Sequence, residues 1–192
     1  MNNTAISIFA NTITEQKNKQ TQSSLWGDSI FEDIDTLKND YSGKAGELLA
    51  VRLCEAYNID HDYDEDIVNQ DDGTYDITIK EKLVEVKTAR VGSDGATWQH
   101  ESLRDHGCDY FWFTDVVPDG YYLSIFPAGF NFKQKHPVFG RTPHLRKETG
   151  GTYKFDFGPA SLKKGESAGW TLFVDANTTD KEIKNFINQR IP

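Results

Sequence analysis

The stretch TYDITIKEKLVEVKTAR, residues 74–90, decides how the rest of the chain is read. It holds two short strand-like runs in which charge alternates with apolar residues. Asp76 precedes Ile77 and Ile79, and Glu85 and Lys87 interleave with Val84 and Val86. Alternate residues of a strand share a face, so an apolar set on one face places the charged set on the other. In an antiparallel hairpin that pairs Ile77 with Val84, Asp76 stands opposite Glu85. Their side chains are then about 5 Å apart, with Lys87 next along the strand. Two carboxylates that close repel unless a cation lies between them or one takes up a proton. The pattern predicts a metal site; a solvent-facing Asp–Glu–Lys network is the alternative that spacing leaves open. Oxygen ligands suit a hard cation such as Mg²⁺, which keeps several waters around a couple of carboxylates.

Upstream, SGKAGELLAVRLCEAYNID reads as a strong helix with Ser42 as its cap. Ala45, Leu49, Leu53 and Ala56 form one stripe, and Leu48, Val51 and Cys54 a second, so the helix should pack on more than one side. Glu47 falls in line with Val51 and Cys54. It is either a third carboxylate facing the metal or a side chain favoured by the helix dipole near the N-terminus. Residues 1–20 read as a loosely held start and 24–39 as a helix. The acidic run DHDYDEDIVNQDDG begins like a calcium loop, but Glu65 stands where glycine is required and Asp71 where glutamate is.

Downstream, residues 98–106 read as a short helix carrying Gln99 and His100, either of which could reach the site. DYFWFTDVV, the turn PDG and YYLSIFP read as an aromatic hairpin. GWTLFVDA reads as one more strand, and TDKEIKNFINQ as a closing helix capped by Thr179. The segment 127–165 has no clear period. The fold class is therefore mixed α/β, with an N-terminal extension over 1–40, a core over 41–130 and a basic elaboration over 131–192.

The 192 residues suffice to bury a core, and a net charge of −9 argues superficially against a nucleic-acid partner. The charge is uneven. Residues 133–164 hold eight basic side chains and two acidic ones, a surplus of six that leaves the remainder at −15. Such a stripe can hold a polyanion locally, because salt screens distant charge within roughly 8 Å; a solvated loop face is the plainer alternative. Cys54 and Cys108 have no zinc spacing and suit a reducing compartment. The apolar patch AISIFA is too short for a signal peptide or membrane span. The expectation is a soluble cytoplasmic protein with no membrane partner.

GKAGELLA, YDI and VEVK, in that order on a helix, a strand and the next strand, resemble the motifs of the PD-(D/E)XK nuclease superfamily, most nearly those of a type II restriction endonuclease. Tyr75 stands where that family has its nominal proline. The resemblance covers roughly residues 42–127. It implies a restriction-endonuclease-like core, a central mixed β-sheet of about four to five strands flanked by α-helices. It also implies Mg²⁺-dependent cleavage of double-stranded DNA, with Mn²⁺ able to substitute. Asp76, Glu85, Val86 and Glu47 would supply the metal site, Lys87 would position the attacking water, and Gln99 looks like the glutamine some branches carry on the following helix. Lys44, Arg90, Lys133, Lys135, Arg141, His144, Arg146 and Lys147 are the expected DNA contacts, and a homodimer or a partner subunit would complete double-strand cutting. A repair or recombination nuclease, such as a mismatch nickase or junction resolvase, is the alternative within the same chemistry. A non-catalytic DNA-binding module and an acidic mimic of nucleic acid are the alternatives outside it.

Overall fold

The computed structural model describes residues 4–18, 29–35, 37–63, 74–92, 96–147 and 150–192. Its frame is a mixed sheet of six strands in the order β1-β2-β3-β5-β6-β9. These are β1 (His61–Asp62), β2 (Ile77–Ile79), β3 (Lys82–Arg90), β5 (Tyr110–Val117), β6 (Gly120–Pro127) and β9 (Thr171–Asp175). Only β3 and β5 run parallel; the other neighbours are antiparallel. The expected hairpin register is present, with Ile77 opposite Val84 and the Asp76 N–H donating to the Val84 carbonyl at 2.9 Å. Ile77, Ile79, Val84 and Val86 are all buried in one apolar cluster.

That cluster lies under three helices: α1 (Thr4–Asn18), α2 (Asn39–Tyr57) and the C-terminal α4 (Asp180–Arg190). The opposite face is covered by a second sheet of β4 (Trp98–Leu103), β8 (Thr152–Phe157) and β7 (His144–Arg146), together with α3 (Pro159–Ser167). Between the two sheets lies a core dominated by phenylalanine, including Phe111, Phe113, Phe126, Phe139, Phe155 and Phe157, all essentially inaccessible. Alternation along β5 divides its residues between the cores: Trp112 and Val116 face the helices, Phe111 and Phe113 the second sheet.

The mixed α/β class stands, with six strands in the main sheet rather than about four or five, and with a sheet covering one of its faces. The stretches 1–40, 41–130 and 131–192 share these cores, since α1 packs on α2 and β9 extends the main sheet beside β6. Four local readings change. Residues 4–18 form an α-helix that buries Ala5, Ile6, Phe9 and Ile13. Of the helix expected over 24–39, the described residues form a 3₁₀ turn at Glu32–Asp35 and, at Asn39, the start of α2, while 24–28 and 36 lie outside the described set, as do Asp64, Glu65 and Asp71 of the acidic run. Residues 98–103 are a strand. Ser42 is no cap: α2 begins at Asn39, and the Ser42 hydroxyl donates back to the Asn39 carbonyl at 2.9 Å. At the C-terminus Thr179 caps α4 as expected, in a reciprocal capping box with Glu182.

Candidate functional site

Of the three charged residues of the opening stretch, Lys87 lines a cleft of about 760 Å³, whereas Asp76 and Glu85 adjoin Lys87 without lining the cleft themselves. Glu85 is 3 % exposed, Asp76 is half-buried, and the Lys87 ammonium pairs with the Glu85 carboxylate. The Asp76 and Glu85 carboxylates are close enough for each to feel the other's charge. Asp76 is fixed from below, because the Val86 N–H donates to its Oδ2 at 2.7 Å. Val86 thus contributes its backbone to the site while its side chain faces the helices.

Burial pushes the Asp76 carboxyl up to about 6, and the neighbouring Glu85 charge pushes in the same direction. Burial works against the Lys87 ammonium too, but Glu85 and then Asp76 outweigh it, so the pKa of Lys87 is raised. The Glu85 Oε2 atom is buried with no hydrogen-bond partner. Leaving such an atom unpaired is costly, and a ligand is one of the ordinary explanations.

Glu47 comes from α2 and lines the same cleft as Lys87 and Arg90. Because α2 starts three residues earlier than Ser42, Glu47 lies beyond its first two turns, where the helix dipole has faded. The dipole explanation for this carboxylate is therefore withdrawn. Its pKa is raised by burial first and by Asp76 second, with Lys44 opposing. The Lys44 ammonium is committed to Glu47 at 3.2 Å and to the Tyr63 hydroxyl. Gly46 allows this arrangement: a Cβ there would stand 1.6 Å from Thr88 Oγ1 and 2.9 Å from Thr88 Cβ on β3. The second glycine of GKAGELLA thus lets α2 approach β3 closely enough to bring Glu47 to the cleft.

Among the described residues no group of three or more His, Cys, Asp and Glu side chains converges as a metal cage. What converges is a carboxylate pair, Asp76 and Glu85, with Glu47 close enough to feel the Asp76 charge. Two carboxylates, one of them with an orphaned buried oxygen, fit a hard cation that keeps most of its waters.

Gln99 is on β4, exposed, and lines the cleft from the wall opposite α2. His100, on the same strand, does not reach the carboxylates. Its ring is fully buried between the sheets, stacked on Phe113 with centroids 3.8 Å apart, and its Nε2 lies 2.8 Å from Asp115 Oδ1. Burial raises the Asp115 carboxyl despite this histidine. Asp115 went unnoticed in the sequence, although a carboxylate inside the apolar run DYFWFTDVV carries the same signal as Glu85. Of the expected DNA contacts, Arg90 lines the cleft, whereas Lys133, Lys135, Arg141, His144, Arg146 and Lys147 lie outside it. Arg146 binds Glu101 at 2.6 Å, and the Arg141 Nε–H donates to the Asp156 carbonyl at 3.3 Å. No helix among the described residues is long and apolar enough to cross a membrane. Neither the models of known protein families nor the curated proteins include a match to this sequence.

Proposed function

We propose that this chain is an Mg²⁺-dependent endodeoxyribonuclease of the PD-(D/E)XK type, acting on double-stranded DNA as a type II restriction endonuclease does. The observation that carries the reading is the pairing of half-buried Asp76 with buried Glu85 beside Lys87, which lines the cleft, with one Glu85 oxygen unsatisfied. Carboxylates raised by burial and by each other's charge cluster at functional sites. Asp76 and Glu85 would hold the metal, and Glu47 would contact it through water. Bound there, Mg²⁺ supplies Lewis acidity toward a phosphoryl oxygen and a more acidic water. Lys87 would orient the attacking water and offset negative charge developing on the phosphate. Arg90, at the exposed end of β3, would hold a flanking phosphate. Discrete fragments from long duplex DNA in Mg²⁺ would support this reading; preference for branched or mismatched duplexes would move the chain to repair.

A second reading has its own observation. Glu85 pairs with Lys87, and Glu47 with Lys44, so both acids already have a cation within the chain. A non-catalytic DNA-binding module on this framework would bind duplex DNA equally well in Mg²⁺ and in EDTA and cut it in neither.

A further inference from the structure

The wall of the cleft facing α2 is the exposed side of β4, and it is built unlike the rest of the second sheet. The β4–β8 register is regular from Trp98 to His100, breaks, and resumes at Leu103. Within the break Ser102 has φ +59°, a left-handed conformation that costs a non-glycine residue about 1 kcal/mol. The irregularity replaces strict alternation with two consecutive outward residues, so that Glu101 and Ser102 are both exposed between buried His100 and Leu103. Both line the cleft. Bulges of this kind re-aim side chains and are over-represented beside functional sites.

The residue before the bulge is the most firmly held of the strand. His100 is locked against Phe113 and Asp115 of β5, and the Trp98 indole N–H donates to the Val116 carbonyl at 3.2 Å. Glu101 is held from behind by Arg146 at 2.6 Å and lies 3.9 Å from Lys154, so its carboxylate is oriented by the neighbouring strands. The chemistry of this wall differs from that of the floor. Lys87 and Arg90 on β3 are cationic, whereas Thr97, Gln99, Glu101 and Ser102 present hydroxyls, an amide and a carboxylate. A carboxylate repels phosphate and accepts only from donors, of which the cytosine amino group is the usual one in a major groove; a serine hydroxyl addresses either kind of group.

We infer that the bulged end of β4 is the base-reading edge of this protein, with Glu101 and Ser102 addressing the base edges of a duplex whose backbone lies on β3. The inference rests on the nuclease reading for its substrate, but its test does not depend on cleavage. Selection from a random double-stranded DNA pool, performed in an Asp76→Asn background, measures sequence preference through binding. The expected result is an enriched motif in which Glu101→Gln or Ser102→Gly lowers preference at one or two positions by about 10- to 100-fold. Affinity for unrelated duplex should not fall in either variant, and Glu101→Gln, which removes a charge that repels phosphate, should raise it alike for all sequences. Ser102→Gly suits the positive φ and should fold at least as well as the parent. Either no enriched motif, or the same motif in both variants, or an equal loss of affinity for all sequences would overturn the assignment to base reading. Failure of the nuclease reading would appear separately, as absence of metal-dependent cutting by the wild type.

Discussion

At the scale of single residues Asp76 is the decisive group. Its folded-state pKa of about 6 lies above the ordinary carboxylate value of 3.8, so the folded protein binds a proton more tightly than the unfolded chain. Stability attached to this group is therefore present at low pH and lost as pH rises through the window from 3.8 to about 6. Above that window the ionised Asp76 opposes folding. Asparagine keeps an oxygen for the Val86 N–H and removes the charge. Asp76→Asn should thus stabilise the protein at pH 8 in EDTA by roughly 1–3 kcal/mol, read from urea unfolding, while abolishing cleavage. Lys87→Ala should do the reverse, leaving Glu85 and Asp76 uncompensated at a destabilisation of roughly 3 kcal/mol. An inactive Lys87→Ala protein is informative only if it is shown to be folded. The acids and the lysine were legible in the sequence because period-two alternation fixes which face each takes. That Glu47 escapes the helix dipole was not, since it depends on where α2 begins.

At the scale of elements, the turn between β2 and β3 explains why the opening stretch forms this hairpin and at what strain. Ile79 pairs with Lys82, so Lys80 and Glu81 alone make the loop, with φ +48° and +63°. This is the type I′ geometry that matches strand twist and that Asn-Gly sequences favour. Glu81 is exposed, and Glu81→Gly should stabilise the protein by about 0.5–1 kcal/mol, measured as a shift in urea midpoint at constant slope. Both strands of this hairpin could be read locally, whereas α1 and β4 could not. The α1 segment TAISIFANTITEQKN is rich in β-branched and short polar residues with weak helix propensity, and its helix is held by burying Phe9 and Ile13 against the main core. In β4 the bulge interrupts the alternation by which a strand is recognised, and the burial of His100 depends on Asp115, fifteen residues away on another strand.

At the scale of the whole molecule, the second sheet turns a segment without obvious period into the cover of an aromatic core. The phenylalanines that make this core announce apolar character but not their partners, because the contacts join β5, β6, β8 and the loop before β7. His136 in that loop is 2 % exposed, and its Nδ1 faces the N–H groups of Val138 and Phe139 at 3.2 and 3.3 Å. A nitrogen that accepts must be unprotonated, and burial lowers the pKa of His136 to about 4. The unfolded chain takes up this proton first, near 6.5, so stability contributed by the neutral ring is complete above 6.5 and is lost as pH falls toward about 4. His136→Asn, which retains an acceptor, should flatten the fall in unfolding free energy between pH 7 and pH 4.5 by roughly 2–3 kcal/mol. An unchanged slope would show that this ring does not set the acid sensitivity of the fold.

Whether the Asp76–Glu85–Lys87 cluster is a hydrolytic metal centre is decided on supercoiled plasmid. Wild type and Asp76→Asn are incubated side by side in Mg²⁺ and in EDTA, with both proteins first shown to be folded. A metal centre there gives linear or discretely fragmented DNA from the wild type in Mg²⁺ alone, and intact plasmid from Asp76→Asn despite equal or greater stability. Intact plasmid from the wild type in Mg²⁺, or cutting that survives the substitution, would contradict it.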